Sequence, residues 1–311
     1  MRAKMDIASK IPNIMGYIRK GTATINPDEK SHLGLVVPQI VMDNGSIRAK
    51  IMTFPLIGKK LLGSIKAMKE SYRDLYNQPV DAITTISKQD FKDLKVYIKS
   101  LDIDDVGFTT VNPSLIFSNK KILFDRAIVL LMQMKKEIIN TAPSPSANKE
   151  IFRTYHHLGV CVNKIADFLK QRGYKAQAGP AIGGEVNYPL LAQKAGLGQI
   201  GKHGLLITPK LGVSLRIATV YTEIENLPKS GENIHQWIAD FCDGCSKCVR
   251  ECPADAIYKK TKIFKDSTHQ HIDYKKCAIP FSNQYGCTVC VKECVFFKGN
   301  YEKIRQSYYA K

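Results

Sequence analysis
The chain has 311 residues, 44% of them apolar, and a formal charge of +18. That size and apolar content suit one or two domains, each with a full hydrophobic core. No run reaches the roughly 18 apolar residues of a transmembrane helix, and the opening MRAKMDIASKIPNIMGYIRK holds neither a signal-peptide apolar stretch nor a twin-arginine pair, so a cytoplasmic location is expected.

Residues 1–80 are basic and mixed, and read as a region that covers the core or docks a partner. Within them 56–72 alternates apolar and Lys residues at helical spacing, as an amphipathic helix does. From residue 81 to 235 the pattern is α/β. Phe91, Leu94, Ile98 and Leu101 share one helical stripe, and 106–111 and 127–132 read as buried strands. The stretch TAPSPSANK (141–149) predicts a loop leading into a long helix over about 149–172. The stripe of that helix is Ile151, Tyr155, Leu158, Val162, Ile165 and Leu169, and Gly173 ends it. Cys161 on this helix reads as a small buried side chain. His156 and His157 are adjacent, so one faces solvent, and neither is assigned a metal. A Gly- and Pro-rich loop (179–184), a short helix (189–194) and two strands (204–208 and 214–222) joined by a turn at 209–212 follow. Residues 236–311 form the last domain, and no internal repeat is expected.

Eight of the nine cysteines lie in that last domain. They read Cys242-x2-Cys245-x2-Cys248-x3-Cys252-Pro253, then Cys277 and Cys287-x2-Cys290-x3-Cys294. The first run has the spacing that holds a [4Fe–4S] cubane, with a last Cys that ligates the other cluster. A cubane needs four thiolates around a compact core. Three cysteines spaced two apart wrap a loop around three irons, and the fourth thiolate must come from afar. The pattern assigns Cys242, Cys245, Cys248 and Cys294 to one cluster, and Cys252, Cys277, Cys287 and Cys290 to the other. Structural zinc favours pairs of CxxC, often with His, and disulfides need an oxidising compartment. Two clusters, each net −2 with its thiolates, bring the charge to about +14. That still favours acidic partners, with a solvated Lys-rich surface as the plain reading.

Gly196, Gly198 and Gly201 spell GxGxxG. A dinucleotide fingerprint must follow a strand and open a helix. Here a helical segment precedes and a strand follows, so these glycines read as a tight turn or as backbone passing close to something flat or bulky.

The segment 188–212, YPLLAQKAGLGQIGKHGLLITPKLG, resembles the core motif of the reductive dehalogenases and the epoxyqueuosine reductases, in which it likewise precedes a two-cluster ferredoxin module. The similarity covers roughly 81–297. It implies an α+β chain: a nitroreductase-like α/β core that binds cobalamin base-off, followed by a ferredoxin-like double [4Fe–4S] domain. It also implies electron flow from an external ferredoxin or flavodoxin through the clusters to cobalamin. Tyr155 and Arg216 match the proton-donor tyrosine and basic partner of the dehalogenases; a cation beside a phenol favours the phenolate left after proton donation. Arg216 shares its strand face with Ala218 and Val220, and such an Arg needs a partner or ligand. Gly196, Gly198, Gly201, Lys202 and His203 match the element expected against the corrinoid. Where the epoxyqueuosine reductases place a catalytic Asp, near 180–181, no Asp stands, and Glu185 is offset. This and the short tail after Cys294 weigh against tRNA as a partner. The reading is an iron–sulfur, corrinoid-dependent reductase acting on an unknown substrate, a small molecule or a corrinoid protein. The alternatives are an electron-transfer protein that reactivates a corrinoid partner, and a tRNA-modifying enzyme.

Overall fold
A computed structural model of the chain describes residues 11–34, 37–229, 231–263 and 269–310; the first ten residues, read above for a leader, lie outside them. Helices α1 (Val37–Asn44) and α2 (Ile47–Arg73) come first. Ser46 caps α2, its Oγ accepting the Ala49 N–H at 3.2 Å. The amphipathic segment expected over 56–72 is the second half of this helix. It buries Ile57, Ala67, Met68 and Tyr72 and leaves Ile47, Ile51, Phe54 and Leu62 exposed.

Helix α3 (Lys88–Ser100) leads to strands β1 (Asp105–Thr110) and β2 (Arg126–Gln133), the short α4 (Lys136–Ile139) and the long α5 (Pro145–Lys170). The helix expected from about 149 thus begins at Pro145. Ser144 is its cap, accepting the Ala147 N–H at 3.1 Å, and Pro145 sits in the first turn, where a missing N–H costs nothing. The turn-forming residues of TAPSPSANK are therefore a helix start. The α5 stripe lies in the core, with Leu158, Val162, Ile165 and Leu169 fully buried. Helix α2 packs along α5. Asn163 ties the two together, donating to the Ala67 carbonyl at 2.9 Å and accepting from Ser71 Oγ at 2.7 Å.

Strand β3 (Ala176–Gly179), helix α6 (Tyr188–Lys194), the two-residue strands β4 (Gln199–Ile200) and β5 (Leu206–Ile207), and β6 (Leu215–Thr222) complete the first part. The main sheet is antiparallel throughout, in the order β1-β2-β6-β3. Both faces of β2 are covered, so Ala127–Leu131 is a continuous apolar run, as a central strand requires. The two strands expected over 204–208 and 214–222 do not pair along their length. All eight residues of β6 are matched against β2, so β5 pairs with β4 instead, Ile200 opposite Leu206, and only a bridge between Thr208 and Gly212 closes the turn.

The cysteine-rich part holds α7 (Trp237–Cys245), α8 (Lys247–Arg250), the hairpin β7 (Ile257–Ile263) and β8 (His269–Ile272), then α9 (Tyr274–Asn283), α10 (Val289–Lys292), α11 (Val295–Lys298) and α12 (Tyr301–Tyr309). Trp237 is its anchor. Its ring packs against Phe241, Phe296, Tyr301 and Tyr308, and its Nε1–H donates to Tyr301 Oη at 3.2 Å. A buried aromatic of this kind contributes about 3–5 kcal/mol against alanine. Ile139, Ala142, Ala147 and Ile151, from α4, α5 and the turn between them, join the same apolar core. Among the described residues no helix is long and apolar enough to cross a membrane.

Candidate functional site
The two cysteine runs fold alike. Residues 247–252 read KCVREC and 289–294 read VCVKEC. Each run starts from a residue in the left-handed region, Ser246 at φ 46° and Thr288 at φ 71°, and turns into a four-residue helix. This is a short internal repeat, contrary to expectation. Lys247 and Glu293, one from each copy, form an ion pair at 3.1 Å. Alternating right- and left-handed backbone makes successive N–H groups converge, the nest that favours anionic sulfur. The Ala256 N–H donates to Cys252 Sγ at 3.3 Å. Thr288 and Val289 N–H groups point at Cys287, the Phe296 N–H at Cys294, and the Lys202 N–H at Cys242.

Cys242, Cys245, Cys248 and Cys294 line one cavity. The last cysteine of the second run is thus brought to the first. In return Cys252 lies close enough to Cys277, Cys287 and Cys290 to push those three thiols up. Burial, then neighbouring thiols, push Cys242 and Cys294 up to about 12 and Cys277 up to about 11. Thiolates crowded in this way need a cationic core to offset them. Among the described residues no three His, Cys, Asp or Glu close on a single metal ion. Thiols spread around a cavity suit a multi-iron core instead, and the donor set fits a cubane.

The β4–β5 hairpin borders the first cavity. Gly198 and Gly201 do let backbone pass close, but to their own chain. A Cβ on Gly198 would stand 2.1 Å from the Ile207 carbonyl oxygen, and one on Gly201 2.5 Å from Ile207 Cδ1. Gly196 turns the chain at φ 71°. Lys202 and His203, expected against a corrinoid, sit at the cysteines. Lys202 Nζ pairs with Asp243, and His203 lines the cavity. Burial, reinforced by His271, pulls the His203 imidazole down to about 4.

Tyr155 and Arg216 come together from α5 and β6. The guanidinium lies over the phenol ring, 4.6 Å from its centroid. Tyr155 packs against both the sheet core and the Trp237 core, so the pair stands where they meet. The Arg216 Nε is buried and has no partner among the described residues.

A family model described as a 4Fe-4S binding domain matches residues 235–258. Over 186 residues the chain is 33% identical to the tetrachloroethene reductive dehalogenase of Sulfurospirillum multivorans, covering 57% of this chain and 36% of that protein. Over 251 residues it is 24% identical to the epoxyqueuosine reductase of Bacillus subtilis, covering 67% and 64%. Among solved structures, a catabolic reductive dehalogenase in complex with 3-bromo-4-hydroxybenzoic acid superimposes with a TM-score of 0.70 at 20% identity, covering 93% of this chain and 45% of that one. The chain is similar to both the reductive dehalogenases and the epoxyqueuosine reductases. It has the mixed helix-and-sheet fold of those structures, with the ferredoxin-like region near its C-terminus. It spans about a third of the length of the curated dehalogenases it matches.

Two features of the chain escape a reading of its sequence. The KCVREC and VCVKEC copies are legible once aligned on their cysteines, but six residues fall below the length at which a repeat stands out. In the sequence Glu185 is only an acid offset from a family position. It is fully buried, with Tyr221 Oη–H donating to its Oε2 at 3.2 Å and Oε1 without a partner among the described residues. Desolvation holds its carboxyl up at about 7.

Proposed function
We propose that this chain is an iron–sulfur oxidoreductase in which two [4Fe–4S] clusters carry single electrons from an external low-potential donor to a reducing site beside Tyr155 and Arg216. Cys242, Cys245, Cys248 and Cys294 hold one cluster; Cys252, Cys277, Cys287 and Cys290 hold the other. The observation that carries this reading is the cavity that gathers Cys294 with the first run. The relatives named dehalogenase and epoxyqueuosine reductase support a reductase, and open thiolates fit a reducing compartment such as the cytoplasm.

A corrinoid, the group the superfamily implies, would supply a strongly reducing centre when bound. The residues that suit it are Tyr155 and Arg216, since the unpartnered Arg216 Nε is a buried donor awaiting an acceptor. The glycines do not add to it, because Ile207 fills the space they leave. Tyr155 Oη would deliver a proton to the substrate, and the guanidinium over the ring would stabilise the negative charge that the phenolate spreads into it.

Protein purified without oxygen should hold about eight irons per chain; four or fewer would remove the second cluster. Cys294→Ala should alter the EPR signal of the first cluster although it lies beyond the second run, and loss of the second signal alone would refute the exchange. Adding hydroxocobalamin before desalting, then recording absorption spectra, tests corrinoid retention. The formal charge of +18 and the match to most of an epoxyqueuosine reductase favour one second reading, action on tRNA. Salt-sensitive tRNA binding with a steep slope would support it.

A further inference from the structure
The turn of the β4–β5 hairpin carries one side chain that its own protein leaves half satisfied. His203 is 4% exposed and lines the cavity with Cys242, Cys245, Cys248 and Cys294. Its Nδ1 accepts the Leu205 N–H at 3.1 Å. A ring nitrogen that accepts cannot carry the proton, so the neutral imidazole holds it on Nε2. Nε2 is buried and meets no acceptor among the described residues. Leaving such a donor unmade costs about 1–3 kcal/mol. Nearby polar groups do not relieve it: Lys202 Nζ is turned to Asp243, and His271 Nδ1 is itself without a partner. What the cavity would hold, on the two-cluster reading, is a set of thiolate and sulfide acceptors.

We infer that His203 Nε2–H donates a hydrogen bond to a sulfur of the first cluster and raises that cluster's reduction potential above the second's. This rests on the two-cluster reading of the cysteines. Reduction adds negative charge to the cluster, and a donor aimed at its sulfur stabilises the reduced form more than the oxidised one. The donors seen at the second set are backbone N–H groups, from Ala256, Thr288 and Val289. A side-chain donor added at the first set makes it the electron sink of the pair. His203 is a positioning and tuning residue here, and touches no substrate.

The test is an EPR-monitored redox titration of the anaerobically purified full chain, with the first-cluster signal assigned by its change in Cys245→Ser. His203→Asn keeps an acceptor for the Leu205 N–H, because an Asn oxygen bonds the backbone two residues on, but it ends short of the Nε2 position. The first-cluster reduction equilibrium should fall about tenfold, or about 59 mV for a one-electron couple, with the second cluster unmoved. His203→Gln, which carries an amide N–H deeper into the cavity, should recover part of the loss. Wild-type midpoints in the Asn variant at full iron content would overturn the inference, as would a Gln variant no higher than the Asn one. An Asn variant that loses iron leaves the Gln variant and wild type as the deciding pair, and equal midpoints there overturn it too. Failure of the two-cluster reading itself is seen earlier and separately, as a wild-type iron count of four or fewer.

Discussion
Tyr155 owes its place to a helix stripe and its chemistry to a strand. The α5 periodicity alone makes it a core side chain. Only the β6 register, which sets Arg216 opposite Met132, brings a cation onto the ring. Tyr155→Phe keeps the ring and its packing, so melting should be unchanged. Turnover of an identified substrate should fall by about 10²–10⁴-fold with loss of the acid; undiminished turnover would take Tyr155 out of the chemistry. Glu185 gives a second expectation. Its folded value of about 7 lies above its ordinary 4.5 because it is desolvated. The fold therefore prefers the protonated side chain. Its stability is whole below about pH 4.5 and declines as pH rises through about 7, by about 3 kcal/mol. Glu185→Gln should flatten denaturant midpoints across that window, and an unchanged pH profile would show that the carboxyl is not held neutral.

At the scale of elements, the reversed order around GxGxxG, helix before and strand after, was legible in the sequence and holds. What the glycines approach was not legible, because a two-residue strand leaves no periodic trace. Gly198 is the tightest point of the hairpin. Gly198→Ala should separate β4 from β5, cost about 1–3 kcal/mol as overpacking does, and carry the Lys202 N–H away from Cys242. A changed first-cluster EPR signal together with a lower Tm checks this; a normal signal would free the hairpin from any role at the cysteines. The start of α5 is hidden in the sequence for a different reason. Ser, Pro, Ala and Asn serve both turns and helix entrances, and the Ser144 cap bond that decides between them depends on backbone geometry. The cysteine spacing is the most legible part of the chain, since a cubane would dictate the type and order of its thiolate ligands. That the last cysteine of each run crosses to the other comes only from the known pattern; the fold sets Cys294 beside Cys242, Cys245 and Cys248.

The molecule as a whole is joined by packing where the sequence reads a boundary at 235/236. Trp237, Phe296 and Tyr301 share one apolar core with Ile139, Ala142 and Ile151, so the cysteine-rich part cannot loosen without exposing the end of α5. Removing iron with a chelator should therefore lower the melting temperature of the entire chain in one transition. Two separate transitions, with the sheet unaffected, would contradict the shared core. The charge of +18 belongs to this scale as well. It says which partners are drawn near, and nothing about the reaction. The exchange of cysteines proposed above would have a consequence for assembly. Two equal halves, each holding its own cluster, could be filled, damaged and repaired one at a time. Halves that each lend a ligand to the other cannot. On that reading, oxygen that strips one cluster would also unmake a wall of its neighbour, and the chain should pass between loaded and empty with little population between. Its working lifetime would then be set by whichever cluster is the more fragile.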